Sequence, residues 1–189
     1  MRRTAAETRE LILSTAQRLF YGRGIQATGV DLIAAEAGIA PTSLYRAFPS
    51  KDALVLAYLE HTDAAYRADF DAAVAAAGED PADRVLAVFD FAAASVRLDV
   101  YRGCAFLMAL AEFGDASHAV HRAAFNTKDW VRTRFGELAA ATGLPEPERL
   151  ADRLALILEG VYASAQALGA DGPAARARDL AADLLRPRA

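Results

Sequence analysis

Thr42, Ser43, Tyr45, Arg46 and Lys51 gather two hydroxyls, a phenol and two cations into one short stretch of the chain. An arginine can give two parallel hydrogen bonds to a guanine edge, and a serine or threonine can bond to bases or to phosphates. Phosphate contacts place a protein on a duplex, whereas contacts to base edges choose the sequence. Each of these residue types is common on protein surfaces. Their order, and the elements that carry them, give the set its meaning.

Those elements are short helices. Ile12, Ala16, Leu19 and Phe20 space their apolar side chains as one face of a helix, which Gly22 and Gly24 bring to an end. Thr28 suits an N-cap, and Asp31 three residues later makes a short-armed capping box. Val30, Ile33, Ala34 and Ala37 form a second stripe, stopped by Gly38. Pro41 then opens a third helix, where its missing N–H costs nothing. That helix runs to Ala47 with Leu44 and Phe48 facing in, so Thr42, Ser43, Tyr45 and Arg46 face out. Pro49 stops it, and Ser50 caps a fourth helix at Lys51. Two short helices across a glycine turn, propped by a preceding helix, predict a helix-turn-helix over about residues 8–51. Helix starts at Thr28-Gly29 and at Lys51 favour a phosphate, because their first N–H groups point outward at the positive end of the dipole.

The rest of the 189 residues reads as helix too. The fourth helix continues to about residue 77, carrying Leu54, Ala57 and Tyr58 inward. Further helices are expected over about 81–96, 102–113, 116–141, 146–168 and 174–185. No convincing period-two run of β-branched residues occurs, so the fold class is all-α, with about nine helices. The single cysteine, Cys104, excludes an intramolecular disulfide. The charged first residues predict no secretory signal, and the lack of a long apolar run predicts no membrane span. A soluble, cytoplasmic protein is expected. The net charge of −4 argues against a nucleic-acid partner until its distribution is considered. Residues 1–51 carry Arg2, Arg3, Arg9, Arg18, Arg23, Arg46 and Lys51 against Glu7, Glu10, Asp31 and Glu36, a net +3 that leaves −7 for the remainder. A basic head on an acidic body can touch phosphates while the body stays clear of them.

The run Thr8-Arg-Glu-Leu-Ile-Leu-Ser-Thr-Ala-Gln-Arg-Leu-Phe20, then Gly24, Thr28 to Gly38, Pro41-Thr-Ser-Leu-Tyr-Arg-Ala-Phe48 and Ser50-Lys-Asp-Ala-Leu54, resembles the TetR/AcrR family of bacterial regulators. The resemblance covers about residues 5–65; beyond it only the helical layout and the length agree. It implies a DNA-binding domain over 5–65 and an effector-binding, dimerising domain over 66–189. It also implies DNA contacts at Thr28, Gly29, Thr42, Ser43, Tyr45, Arg46 and Lys51, with Pro41 opening the same surface. The implied function is sequence-specific regulation of transcription: a homodimeric repressor on an inverted-repeat operator, released by a small hydrophobic effector, with no cofactor and no catalysis. Two positions depart from the family pattern. Ala40 replaces a capping serine, a loss of about 1 kcal/mol. Ala47 replaces a residue that often reaches a phosphate.

In the body, the bulky side chains Tyr66, Phe70, Phe89, Phe106, Met108, Phe113 and Trp130 are the expected walls of an effector pocket, since such pockets are mostly apolar with few polar groups. The helix over 146–168 is apolar on more than one side, counting Ala151, Ala155, Tyr162 and Ala163, and a partner subunit is a source of cover. Leu154, Ile157, Leu158, Val161, Leu180 and Leu184 are the expected dimer interface. Rival readings also rest on particular residues. Glu112, Asp115, His118 and His121 recur every third position and could hold a metal for an enzyme, although Gly114 interrupts the helix and no Glu-x-x-His partner occurs. Cys104, near a helix start, could make the regulator redox-responsive. An activator of the same fold and a protein-binding helical module are the remaining alternatives.

Overall fold

The computed structural model describes residues 3–186. Among them are nine α-helices and no strand: α1 (Ala5–Arg23), α2 (Val30–Glu36), α3 (Pro41–Ala47), α4 (Lys51–Ala76), α5 (Pro81–Ser95), α6 (Ala105–Glu112), α7 (Ala119–Ala141), α8 (Pro147–Leu168) and α9 (Ala177–Leu185). The all-α expectation therefore holds. Arg2, counted with the basic head, and residues 187–189, assigned to the C-terminal domain, lie outside the described residues.

The chain divides into two compact units. One comprises Met1–Asp63 and Ala105–Phe125; the other comprises Ala64–Cys104 and Asn126–Ala189. In this division α6, the turn after it and the first residues of α7 group with the N-terminal helices.

In the first unit, α1 buries Ile12, Ala16, Leu19 and Phe20, the stripe expected from spacing. The helix starts earlier than that stripe. Thr4 and Glu7 form a capping box: the Thr4 hydroxyl accepts from the Glu7 N–H at 3.2 Å, and the Glu7 carboxylate accepts from the Thr4 N–H at 2.7 Å. Gly24, with φ +92°, ends the helix. At the end of α2, the Gly38 N–H donates to Ala35 and the Ile39 N–H to Ala34, a Schellman closure around φ +64° that a glycine adopts without strain. Ser50 caps α4 by accepting from the Ala53 N–H at 3.1 Å.

The second unit packs on Phe70, Val85, Val88, Phe89 and Phe135, together with the inward face of α8. The Phe89 and Phe135 rings stack at 5.9 Å, and Phe70 meets Phe135 edge-on at 6.1 Å. Some helix ends fall inside the expected ranges. Asp115 accepts from the N–H and hydroxyl of Ser117, which makes a turn and delays α7 to Ala119. Pro173–Arg176 is a 3-10 segment, so the closing α-helix begins only at Ala177.

Candidate nucleic-acid interface

The candidate recognition element is α3, whose limits match those expected. Leu44 and Phe48 are fully buried, whereas Thr42 and Arg46 are exposed, Ser43 is half-buried and Tyr45 is 49% exposed. The inner and outer faces thus divide as a groove-reading helix requires. No side chain caps the Ala40 end of α3; the Ser43 N–H returns to the Ala40 carbonyl instead. The other end is held from α1. The Arg9 guanidinium donates to the Ala47 carbonyl at 3.1 Å and lies 4.0 Å above the Phe48 ring. Arg3, Arg9 and Arg46, with Thr4, Thr8 and Ser43, line an open groove of about 890 Å³ between the start of α1 and α3. Arg3 and Arg9 were not singled out by spacing. Nothing in a linear pattern joins them to a helix some forty positions downstream.

Thr28 requires a correction. The N-cap of α2 is Gly29, and no side chain caps that end. Thr28 is fully buried and donates its hydroxyl to the Gly24 carbonyl at 2.7 Å. The hydroxyl is consumed inside the α1–α2 turn, so Thr28 shapes that turn and does not present its side chain to a phosphate. Gly29 and Pro41 are exposed. Lys51 is half-buried at the first position of α4, and its ammonium donates to the Gln26 carbonyl at 3.3 Å. On the far side, Arg18 pairs with Glu36 at 2.8 Å and holds that carboxyl below its usual range.

The expected pocket residues are divided between the two units. Tyr66, Phe70, Phe89 and Trp130 lie in the second unit, but Phe106, Met108 and Phe113 lie in the first. Phe106 and Phe113 are buried there. Within the second unit, Tyr66 faces Phe70 at 6.3 Å and Phe91 at 5.9 Å, and Phe70 meets Trp130 at 5.3 Å. Beside them is a polar island that spacing did not find. The Tyr66 and Tyr162 hydroxyls are 3.3 Å apart, and burial pushes both phenols well above their ordinary range. Lys128 donates to the Cys104 sulfur at 3.1 Å and to the Glu159 carboxylate at 2.9 Å. Burial works against the Lys128 ammonium, but the facing Cys104 and Glu159 outweigh it and raise its pKa.

The expected interface also splits. Leu154, Leu158 and Val161 are buried in this subunit's own core and cannot face a partner. They occupy one side of α8. Leu156, Gly160 and Ala163, at helical spacing on the opposite side, are exposed, with Leu156 at 73%. Ile157 and Leu184 are half-buried against the core, and Leu180 is 53% exposed.

The acid–histidine series is dispersed into separate bonds. Glu112 accepts from backbone N–H groups of the α1–α2 turn, Asp115 from Ser117, while His118 faces Asp52 at 3.3 Å and His121 faces the Phe113 carbonyl at 2.7 Å. Among the described residues no group of three or more His, Cys, Asp or Glu could hold a metal ion. No helix among them is long and apolar enough to cross a membrane.

Comparison with known proteins places these features in a lineage. Residues 12–58 match the family model described as "Bacterial regulatory proteins, tetR family". The structure superposes on SCO4454, a TetR-family transcriptional regulator from Streptomyces coelicolor, with a TM-score of 0.91 and 33% identity over 96% of this chain and 95% of that one. A TetR transcriptional regulator from Chloroflexus aurantiacus gives a TM-score of 0.84 at 25% identity, covering 95% of this chain and 94% of that one. The HTH-type transcriptional regulator YjdC of Escherichia coli is 25% identical over 94% of this chain and 93% of its own.

Proposed function

Because the chain belongs to the TetR family of bacterial regulatory proteins and is a DNA-binding transcriptional regulator rather than an enzyme, we propose that it acts in the cytoplasm as a repressor, occupying an inverted-repeat operator as a homodimer and leaving it when a small hydrophobic effector binds. The division of α3 carries this reading. Leu44 and Phe48 anchor one face, so Tyr45 and Arg46, with Thr42 and Ser43, are presented to the major groove without loss of core contacts. Lys51 adds a cation at the start of α4, where it opposes the helix dipole; a phosphate there would offset that cost. Selection of bound DNA from a random library is expected to return an inverted repeat. Arg46→Ala and Tyr45→Ala are expected to lose it, and retention of full affinity by both would refute the assignment of α3. Transcription in vitro from a promoter overlapping that repeat separates repression, the expected result, from activation.

Dimerisation is supported by the outward apolar side of α8 with Leu180 of α9. Gly160 and Ala163 would let two copies of α8 approach closely across a two-fold axis, as an isologous interface requires. The effector reading rests on the second unit. There an aromatic wall of Tyr66, Phe70 and Trp130 adjoins the hydroxyls and charges of Tyr162, Lys128 and Glu159. An aromatic compound with one polar substituent fits such a lining. In a panel of such compounds, the effector is the one that both raises the melting temperature and releases operator DNA.

A second reading, redox response, is favoured by the Lys128–Cys104 contact. The contact places a polar group and a charge beside a half-buried sulfur, and cysteine reacts with peroxides through its thiolate. Hydrogen peroxide would transfer one oxygen to Cys104, its O–O bond breaking, to give sulfenic acid and water. If peroxide releases the wild-type protein from its operator but not Cys104→Ser, this reading stands; equal release defeats it.

A further inference from the structure

Glu112 ends α6, yet its carboxylate is spent on the turn between α1 and α2. One oxygen accepts from the Ile25 N–H at 3.0 Å and the other from the Gln26 N–H at 2.5 Å. Gly24 sits against it: a Cβ there would stand 3.3 Å from the carboxylate, at a φ of +92° that already favours glycine. The turn is fastened again from its other side, since the Gln26 carbonyl accepts from the Lys51 ammonium. Next to Lys51, Asp52 faces His118, whose ring packs on Phe113, the residue after Glu112, with centroids 4.9 Å apart. Side chains from residues 112–118 therefore grip the head at two points that flank Lys51, all within one compact unit. The chain enters α6 directly from Cys104, the last residue of a stretch that belongs to the other unit.

We propose that Glu112 is a positioning residue of the DNA interface: its carboxylate fixes the α1–α2 turn, and the turn holds Lys51 where it meets a phosphate. This rests on the DNA-binding reading above. A fixed lysine contacts DNA without first being ordered, which is why the latch would act on affinity and not on fold alone. It also makes α6 a structural part of the DNA-binding unit despite its distance along the chain. Any displacement of α6 is then felt at Lys51 through two hydrogen-bonded steps.

The test uses the full-length protein and the operator recovered by selection. Each phosphate contact contributes about 0.9 to the slope of log affinity against log salt, so Lys51→Ala should lower that slope by about one per chain. Glu112→Gln keeps the shape but sets an amide N–H against one of the two backbone donors. It is expected to bind the operator about tenfold more weakly, a change of about 1.4 kcal/mol, and to reproduce the lowered slope with Lys51 still present. Adding Lys51→Ala should then change little. Hydrogen exchange at the amides of Ile25 and Gln26 should accelerate in Glu112→Gln, and Glu112→Asp, too short to reach both donors, should do the same. If Glu112→Gln keeps the wild-type slope and affinity while Lys51→Ala lowers both, the latch is wrong and the DNA-binding reading survives. A wild-type protein that shows no salt-dependent operator binding overturns both. Unchanged exchange at both amides rejects the latch without reference to DNA.

Discussion

Helices α3 and α8 are both amphipathic, but they solve opposite problems. The seven residues of α3 are too few to be stable alone, and the helix is held from outside, by Leu44 and Phe48 below and by Arg9 at its end. Its outer face is therefore free to be chosen for a ligand. The twenty-two residues of α8 carry a buried stripe from Leu150 to Ala165 that is central to the second unit. Its outer face is apolar as well, at Leu156, and adds nothing to the fold of a single chain. Under the proposed function, exposure has two meanings here: polar side chains on a braced short helix would offer a DNA surface, and apolar ones on a self-sufficient long helix would offer a subunit surface.

The largest effect expected lies in the core that α8 shares. Phe135 is fully buried between Phe70 and Phe89, and Phe135→Ala should lower unfolding stability by about 3–5 kcal/mol. Denaturant unfolding followed by circular dichroism measures it. A loss below about 1 kcal/mol would mean that the second unit is loosely packed and that its stability lies elsewhere. On the outer side, Leu156→Asp should leave that unfolding midpoint nearly unchanged yet dissociate the proposed dimer. Burying a leucine contributes about 1.5–3 kcal/mol, and a two-fold interface counts it twice. Sedimentation at several concentrations reads the outcome, and a Leu156→Asp protein that remains a dimer would move the interface off α8.

For α3 the prediction is inverted. Arg46→Ala should cost about 1–3 kcal/mol of operator affinity through a lost bidentate contact, with stability changed by no more than about 0.5 kcal/mol. Thr28→Val is its counterpart from the inside. It strips the bond to the Gly24 carbonyl and should lower stability by about 1 kcal/mol. Fluorescence anisotropy on the operator paired with thermal melts separates the two. If Arg46→Ala melts early, the outer face of α3 is structural and the contrast with α8 collapses.

The head was legible because its signals are local. Pro41, Pro49, Gly24 and Gly38 mark ends within a few residues of the stripes they close, and Leu44 and Phe48 leave only one way for Tyr45 and Arg46 to point. Thr28 misled for the same reason: by type it is a good cap, but the turn turned its hydroxyl inward and passed the cap to Gly29. Longer-range facts left no trace in a linear pattern. Lys128 and Glu159 lie thirty-one residues apart and Glu112 lies eighty-six from Gln26, so neither pairing shows in the spacing of the residues. In α8, Leu154 and Leu156 are equally apolar. Which one faces inward depends on packing against α5 and α9, which spacing does not show, and Leu154, Leu158 and Val161 of the expected interface are taken up by the core.

The smallest effect expected separates the two regions by pH. In the second unit, burial raises the Tyr66 and Tyr162 phenols above the usual value of 10.0, so the folded state holds these protons more tightly than the unfolded chain. Their stabilising contribution is complete below about pH 10 and is lost as the pH rises toward the folded values. The Lys128 ammonium, also raised, acts in the same direction. The first unit has its counterpart at the acid end. The Glu7 carboxyl is held below 4.5 by its bonds to Thr4, so the capping box is fully formed above that pH and is lost as the pH falls through the lowered value. Tyr66→Phe should cost about 1 kcal/mol at neutral pH by removing the bond to Tyr162. It should also flatten the alkaline loss of stability, because one of the two titrating hydroxyls is gone. Thr4→Ala should leave the alkaline limb untouched and loosen the start of α1 even at neutral pH, seen as faster exchange at the Glu7 amide. An alkaline limb as steep in Tyr66→Phe as in the wild type would show that this hydroxyl titrates alike in the folded and unfolded chains. The polar island would then be open to water, which removes the dry wall on which the effector reading depends.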